Sequence, residues 1–340
     1  METKRTSLFA IKAFFWVTVI LFLPTESMGD PILEGAKKEG QVVFYASMEL
    51  QISQRVASLF EKKYPFIKAN VTRIGSERMA TRLVSEAQAG RAIGDVVHQS
   101  GFDFYGVLQK GVFESYHSPE QSAFPAEYRD DKGYWTIDSA TLNVIGYNTH
   151  MVHPGEVPKS FWDLTDPKWK GKIMMDENES KWLAGMISYY GEAKAMELMR
   201  KLAAQDIQFR TGHTLIQTLM AAGERAIAGV AFANGVERLK NDGAPIDWIA
   251  AEPIIGLTFG FGLVKGAPHP NAARLFIDFV LSREGQQAIA EANYYTARKD
   301  VQSPIMKKIP PHAKLIPLPL EMAKRYNEYF QLYRKVMGLK

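Results

Sequence analysis

The sequence contains no cysteine among its 340 residues. A chain without thiols cannot form disulfides, thiolate zinc sites, iron–sulfur clusters or a cysteine nucleophile, and it cannot carry the lipid-modified cysteine of a bacterial lipoprotein. Neither sign of charge predominates, since 41 Lys and Arg residues and 37 Asp and Glu residues give a net charge of +4. No dense basic run accompanies this small excess, so we expect no nucleic-acid partner.

Motifs of catalysis are missing as well. The chain has no Gly-x-Ser-x-Gly elbow, no His-Glu-x-x-His pair and no Gly-x-x-x-x-Gly-Lys-Ser/Thr loop. Gly260-Phe-Gly262 begins a dinucleotide-binding fingerprint, but Lys265 occupies the position of its third glycine. His150 and His153 have a ligand-like spacing, yet they lie in a predicted loop. We therefore predict a protein that is not an enzyme, with no catalytic residues, no metal ligands and no cofactor.

Long apolar runs are confined to the N-terminus. Lys4 and Arg5 precede an apolar stretch over residues 13–23, which is too short to span a bilayer but has the length of a signal-peptide core. Ser27 and Gly29 place small residues at the −3 and −1 positions of a cleavage site. We predict that residues 1–29 are a signal peptide and that the mature protein is exported. An uncleaved membrane anchor is the alternative.

Strand and helix patterns alternate along the rest of the chain. Val42–Tyr45 is a short apolar run typical of a strand, and Met79, Leu83 and Ala87 repeat at the spacing of an amphipathic helix. The alternation restarts with the apolar Ile173–Met175 segment. Such a pattern predicts an α/β fold with mostly parallel sheets flanked by helices.

Two long β-rich stretches, Thr136–Tyr147 and Ile254–Val264, lie on either side of the second α/β segment. They predict a chain that crosses twice between two lobes, as its length also favours, with a ligand cleft between them. The expected division is a signal peptide over residues 1–29, a first lobe over residues 30–147 and 253–300, and a second lobe over residues 148–252 and 301–340.

Three stretches resemble bacterial solute-binding proteins that serve ABC importers. Residues 161–173, FWDLTDPKWKGKI, are similar to the "DL.DP.WKGKI" segment of that family, and residues 270–286 and 295–301 resemble its "A..F..F.LS.EGQ" and "P.RKDV" segments. The resemblance, to the subgroup labelled ferric-iron-type, covers nearly all of the mature chain. It implies a two-lobed type II periplasmic-binding-protein fold, a periplasmic location, and closure of the lobes on a small ligand. It also implies a permease partner in the inner membrane, and we expect the binding protein itself to be a monomer.

The iron ligands of this subgroup are not matched. Relatives that bind iron place two adjacent tyrosines after a small-residue strand, where this chain has Ala233 and Asn234. The position of a ligand histidine holds Glu49, and that of a ligand glutamate holds Ser100. We therefore expect a small organic anion, such as a carboxylate or phosphonate, with ferric ion or another metal as the alternative.

The loops after the predicted strands are expected to face the cleft. Hydroxyl groups and free N–H groups at helix starts favour anions, and the guanidinium of Arg78 can bind a carboxylate or phosphonate bidentately. In iron-type relatives the helix starts that match Ser180 and His213 hold an anion. We expect Arg78 and the Ser180–Lys181 helix start to hold the anionic group from two sides. The predicted ligand-binding residues are Ser47, Met48, Glu49, Ser76, Arg78, Ser100, Gly101, Ser180, Lys181, Trp182, His213, Thr214 and Asn234.

Structural alternatives accompany these assignments. Each Ser or Thr at a helix start can be a plain N-cap, and Trp182 can belong to the core instead of stacking on a ligand. Asp176, Glu177 and Glu179 form an acidic cluster after a predicted strand. That cluster is either a solvated loop or a site for a hard cation or an amine, and it would repel an anion bound beside it.

Overall fold

The computed structural model describes residues 30–311, 313 and 315–340, and the predicted signal peptide lies outside them. The helices are α1 (Pro31–Glu39), α2 (Leu50–Lys63), α3 (Ser76–Gln88), α4 (Gly101–Leu108), α5 (Ser180–Tyr190), α6 (Glu192–Ala203), α7 (His213–Ala221), α8 (Ala233–Asn241), α9 (Pro270–Leu281), α10 (Arg283–Glu291) and α11 (Tyr326–Met337). The strands are β1 (Gln41–Ala46), β2 (Lys68–Arg73), β3 (Val96–Ser100), β4 (Phe113–Glu114), β5 (Thr136–Asn148), β6 (Ile173–Asp176), β7 (Gln208–Arg210), β8 (Ile227–Phe232), β9 (Ile246–Ile249), β10 (Ile254–Val264), β11 (Tyr295–Thr296) and β12 (Leu315–Pro317). Among these described helices, none has the length and hydropathy of a membrane-spanning segment.

The strands of the described residues form one sheet whose main path runs β2–β1–β3–β10–β5–β8–β6–β7. Strand β1 pairs in parallel with β2 and β3, and we call these three strands the first block. Strand β6 pairs in parallel with β7 and β8, which form the second block. The long strands β5 and β10 lie antiparallel to each other and to their outer neighbours, so they join the two blocks. The α/β expectation is confirmed.

Helix α3 shows how a buried carboxylate can replace an apolar position. Met79 and Leu83 are buried as their spacing predicts, but Ala87 is exposed and Glu86 is buried instead. The Glu86 carboxylate accepts hydrogen bonds from the hydroxyl of Tyr45 at 2.9 Å and from Nε of Arg82 at 2.8 Å. Two such donors offset the free energy lost when a carboxylate is removed from water. A pattern of apolar residues does not reveal that a charged residue is buried in this way.

The C-terminal segment departs from the single helix that its sequence predicts over Leu320–Met337. A 3₁₀ turn covers Leu320–Arg325, and α11 begins only at Tyr326. Helix α11 packs on α5 and α6, whereas the 3₁₀ turn packs on α4 and β12 pairs in parallel with β10. The segment therefore contacts elements on both sides of the central strands.

Candidate functional site

A cleft of about 1050 Å³ lies at the carboxyl ends of the strands of both blocks. Its first wall consists of residues that end or follow β1, β2 and β3: Ser47, Glu49, Leu50, Gln51, Arg73, Gly75, Ser76, Glu77, Arg78 and Ser100. Its second wall consists of residues that end or follow β6, β7 and β8: Asp176, Glu177, Asn178, Glu179, Lys181, Trp182, Thr211, Gly212, His213, Thr214, Leu215, Thr218, Phe232 and Arg238. Asn143, Leu257 and Phe259 of the central strands complete the lining. Open α/β sheets bind ligands at this edge.

Nine of the thirteen residues predicted from the sequence to face a ligand line the cleft: Ser47, Glu49, Ser76, Arg78, Ser100, Lys181, Trp182, His213 and Thr214. Their contact with a ligand remains a prediction. Trp182 belongs to the core, since it is 1% exposed and packs its ring on Phe161, and it also contributes to the cleft lining, so its stacking on a ligand stays a prediction.

The other four predicted residues do not line the cleft. Met48 is buried in the core, and a side chain on Gly101 would collide with Leu320 and Thr258. Ser180 is fully buried, and its hydroxyl donates to Oδ1 of Asn178 at 2.6 Å. Asn234 is buried at the start of α8 and is held by Thr141 and Glu49. Each of these residues follows a strand, but the side chains of Met48, Ser180 and Asn234 point into local packing, and Gly101 has no side chain to reach the cleft.

The first wall carries two arginines that are free to bind a ligand. Arg73 is the last residue of β2 and Arg78 lies in the first turn of α3, and both are exposed. Neither guanidinium makes an ion pair or hydrogen bond with any residue that the structure describes. The N-terminus of α3 adds to the positive potential, because its N-cap Gly75 provides no side-chain oxygen for the leading N–H groups.

The carboxylates of the second wall, in contrast, are held by its own loops. Both oxygens of Asp176 accept backbone N–H groups, from Asn178 at 2.9 Å and from Gly212 at 2.6 Å. Oε1 of Glu177 accepts the hydroxyl of Thr211 at 2.8 Å. The acidic cluster is therefore part of the loop structure, and Asp176 is buried, not solvated.

Glu179 and His213 form a buried pair in the same wall. Burial and the neighbouring charge of Asp176 raise the pKa of Glu179 well above its usual value, which favours its neutral form. Burial lowers the pKa of His213, although Asp176 opposes this shift. Nε2 of His213 lies 3.7 Å from Oε1 of Glu179, and its ring lies over that of Phe232 with 3.8 Å between centroids. Burial thus favours the uncharged form of both side chains.

Lys181 crosses from the second wall to the first block. Its ammonium group lies 2.7 Å from Oδ2 of Asp103 and 3.2 Å from Oγ of Ser100. Burial acts to lower the pKa of Lys181, but the charge and hydrogen bond of Asp103, together with the charges of Tyr326 and Glu77, outweigh it and the pKa is raised. Lys181 is therefore charged but already neutralised, and the hydroxyl of Ser180 donates to Asn178. These two side-chain donors of the helix start are thus engaged within the protein.

Two further bridges join the walls. Nε of Arg238 lies 2.8 Å from Oε2 of Glu49. The carboxylate of Glu77 accepts the amide of Asn178 at 2.8 Å and the hydroxyl of Tyr326 at 3.1 Å. These polar contacts hold the two walls together across the cleft.

Sequence reasoning missed several of these residues. Arg73 could have been found, since it ends a predicted strand as the other lining residues do. Arg238 lies within α8, and Tyr326 begins α11 far along the chain, so no local pattern places either beside the cleft.

The rims also carry two unusually exposed apolar residues, Leu50 at 47% and Leu215 at 45%, one on each wall.

The positions of the iron-type tyrosines are occupied by packed residues. Ala233 is fully buried and Asn234 is held by Thr141. None of the described residues that line the cleft is a tyrosine. Within the described part of the chain, no three His, Asp or Glu side chains are grouped so that they could hold a metal ion.

Known proteins resemble this chain over most of its length. Residues 95–324 match the family model described as bacterial extracellular solute-binding protein. Iron uptake protein A1 of Synechocystis is 23% identical over 288 residues, covering 79% of each chain.

Solved structures give the same fold. Iron-bound HitA from Pseudomonas aeruginosa superposes with a TM-score of 0.74 at 21% identity, over 87% of this chain and 99% of the other. The periplasmic binding protein AfuA from Actinobacillus pleuropneumoniae, with fructose-6-phosphate bound, reaches a TM-score of 0.75 at 22% identity, over 88% and 99%. At such identities the likeness establishes the periplasmic-binding-protein fold. Fold and family model agree: the chain belongs to the bacterial extracellular solute-binding protein family, the substrate-binding components of ABC importers.

Proposed function

We propose that the protein is exported to the periplasm, captures a small organic anion such as a carboxylate or phosphonate in its cleft, and delivers it to an inner-membrane permease. The anionic group binds to the first wall, between the guanidinium groups of Arg73 and Arg78 and the N-terminus of α3. This differs from the sequence-based expectation in one respect. The Ser180 hydroxyl and the Lys181 ammonium do not complete the grip, because they already bond to Asn178 and Asp103.

The two unpaired arginines carry this proposal. Other charged residues of the cleft, such as Lys181, Arg238 and Asp176, have partners within the protein. A guanidinium without such a partner can form paired hydrogen bonds with an oxyanion, and the leading N–H groups of α3 can add to them. The positive charge is thus available where a ligand would enter.

The size and lining of the cleft support an organic ligand. Its volume of about 1050 Å³ lies at the upper end of the range typical of small-molecule pockets and far exceeds that of a single ion. Phe232, Leu257 and Phe259 supply apolar surface for a carbon skeleton. Closure of two lobes, formed by residues 30–147 with 253–300 and by residues 148–252 with 301–340, would sequester such a ligand.

A thermal-shift screen of carboxylates, phosphonates, sugar phosphates and ferric citrate tests the proposal. A true ligand at 100 times its Kd stabilises the folded state by about 2.7 kcal/mol, which gives a clear rise in Tm. The Arg78→Ala variant should lose that rise, and Arg200→Ala, which removes an exposed arginine of α6 outside the cleft, should retain it. A rise that survives Arg78→Ala unchanged would contradict the proposed site.

Ferric ion is the second candidate, and the name of the Synechocystis relative favours it. Phenolate oxygens are well suited to this hard trivalent cation and give such complexes a charge-transfer colour, whereas this chain has Ala233 and Asn234 at the matching positions. Titration of the purified protein with ferric citrate separates the candidates. We expect a colourless sample, and a red complex would place the metal first.

A further inference from the structure

Beneath the first wall lie two buried ionisable side chains whose facing atoms make no hydrogen bond. His98 of β3 and Asp138 of β5 are both fully buried. Nε2 of His98 and both carboxyl oxygens of Asp138 have no partner among the described residues. A buried polar atom without a partner costs about 1–3 kcal/mol, so such a pair calls for an explanation.

A β-bulge brings the two side chains together. In the pairing of β5 with β10, Ser139 lies opposite Phe259 and Ile137 opposite Gly260, so Asp138 is the extra residue. Bulges re-aim side chains, and here the carboxyl group turns toward the strand two places away. Its Oδ1 lies 3.7 Å from Nε2 of His98, whose ring stacks on Phe259 at 5.0 Å.

The other nitrogen of His98 faces the cleft. Nδ1 lies 3.5 Å from Oγ of Ser47, and Ser47 is part of the first wall. The backbone N–H of Ser47 is already bonded to the carbonyl of His98 at 2.9 Å, which fixes the serine beside the ring. Ser47, His98 and Asp138 therefore form a line from the cleft to the interior.

The direction of the hydrogen bonds along this line decides what Ser47 can offer. A neutral imidazole has one N–H and one lone pair, and the tautomer follows the partner of either nitrogen. If the carboxyl group of Asp138 donates to Nε2, the proton of His98 resides on Nδ1 and is donated to Oγ of Ser47. The hydroxyl proton of Ser47 is then directed into the cleft. We propose that Asp138 and His98 are positioning residues that turn the Ser47 hydroxyl into a hydrogen-bond donor for the anionic ligand.

The role of Ser47 as a donor to an anion rests on the proposed anion-binding function. The direction of the hydrogen bonds from Asp138 through His98 to Ser47 does not depend on that function. The distance of 3.7 Å between Oδ1 and Nε2 exceeds that of a hydrogen bond, and rotation of the carboxyl group, which lies near the polar side chains of Ser139 and Gln286, would close it. Burial lowers the pKa of His98 to about 3, so the ring is neutral. Burial also raises the pKa of Asp138 to about 7, against the opposing effect of Ser139 and Gln286, so the acid form prevails below neutral pH.

The proposed order has a definite pH dependence. Tyr294 is a titratable group that interacts electrostatically with Asp138 as well as with Glu49 and Arg73, and burial raises the pKa of this phenol. Above about pH 7, Asp138 loses its proton and can only accept, which draws the His98 proton to Nε2. Nδ1 then accepts from Ser47, and the hydroxyl turns away from the ligand. Anion binding should weaken as Asp138 ionises.

Nitrogen NMR of the ligand-free protein tests the hydrogen-bond order directly. Ring ¹⁵N shifts of histidine-labelled protein identify the protonated nitrogen, and a His98→Asn variant assigns the signal among the seven histidines. We expect Nδ1–H at pH 6 and Nε2–H at pH 8.5 in the natural sequence. Asp138→Asn, whose amide does not titrate, should show the same tautomer at both values. An Nε2–H tautomer at pH 6, or a shift in Asp138→Asn that follows the natural sequence, would overturn the proposal.

Binding of inorganic sulfate, whose charge is constant over this pH range, tests the consequence at Ser47. Affinity should fall roughly tenfold from pH 6 to pH 8.5, as expected for one lost hydrogen bond to a charged group. Asp138→Asn should remove that fall, and Ser47→Ala should bind weakly at both pH values. Ser303→Ala, which removes a buried hydroxyl that bonds to the carbonyl of Ala290 outside the cleft lining, is the matched control and should behave as the natural sequence.

The two experiments separate the two proposals. If His98 shows the expected tautomers but sulfate and the organic anions do not bind, the anion-binding function fails and the positioning of the hydroxyl stands. If sulfate binds with a pH dependence that Asp138→Asn retains, the positioning role fails and the function stands.

Discussion

The two walls of the cleft differ in how their charges are satisfied. On the second wall, backbone N–H groups hold Asp176, Thr211 holds Glu177, and burial favours the neutral form of Glu179. On the first wall, Arg73 and Arg78 have no partner among the described residues. Charge that is satisfied by its own loop fixes the shape of a site, whereas charge without a partner remains available for a ligand. Counting acidic and basic residues alone would miss this distinction.

The largest expected effect comes from the ion pair that joins the walls. Asp103→Ala leaves the largely buried ammonium of Lys181 without its carboxylate. Loss of one partner of a buried pair costs about 3–5 kcal/mol, so the free energy of unfolding in urea should fall by that order. The paired variant Asp103→Leu with Lys181→Met removes both charges and serves as the control. A double variant as unstable as Asp103→Ala would show that packing, and not the unpaired charge, is responsible.

Removal of both free arginines should nearly abolish anion binding without a comparable loss of stability. Each charge-assisted hydrogen bond contributes about 1.5–3 kcal/mol, so Arg73→Ala with Arg78→Ala should weaken binding by at least about 100-fold. Titration calorimetry with the anion found by screening measures the loss. Equal weakening by Glu177→Gln would mean that the second wall, and not the first, holds the ligand charge.

Glu179 should make stability depend on pH in a direction opposite to that of ordinary carboxylates. Because its pKa is raised on folding, the folded protein keeps a proton that the unfolded chain releases above the usual glutamate pKa. Its contribution to stability therefore falls as pH rises from about 4.5 toward the raised pKa, by about 1.4 kcal/mol per pH unit at most. Glu179→Gln lacks this dependence. The difference in unfolding free energy between the two proteins, measured from pH 4 to 8, should show this slope, and a flat difference would contradict it.

The smallest effect is expected at Glu77, an exposed residue of the first wall that bonds to Asn178 and Tyr326. Hydrogen bonds of this kind contribute about 0.5–1.5 kcal/mol in all, so Glu77→Gln should lower Tm only slightly. Tyr326→Phe should have an effect of the same size. Non-additivity in the double variant, measured by a mutant cycle, would show that the two residues act through their contact.

Sequence patterns predicted the fold better than the site. Alternation of strands and helices, together with two long β-rich stretches, was sufficient for the α/β architecture and the position of the cleft. The same patterns could not show that Ser180 is buried, because helix-start position does not reveal whether a side chain packs against its own loop. They could not place Tyr326 either, since its contact with Glu77 joins residues far apart in the chain. Asp138 was missed because a bulge breaks the alternation on which strand patterns rely.

The exposed leucines on the two rims have a practical consequence when combined with the composition of the chain. Leu50 and Leu215 begin α2 and α7 on opposite walls, and neither is needed to fill the core. Because the natural sequence contains no thiol, cysteines introduced at these two positions would be the sole reactive sites for a pair of labels. The distance between those labels would report opening and closure in single molecules, and would do so before the ligand is known.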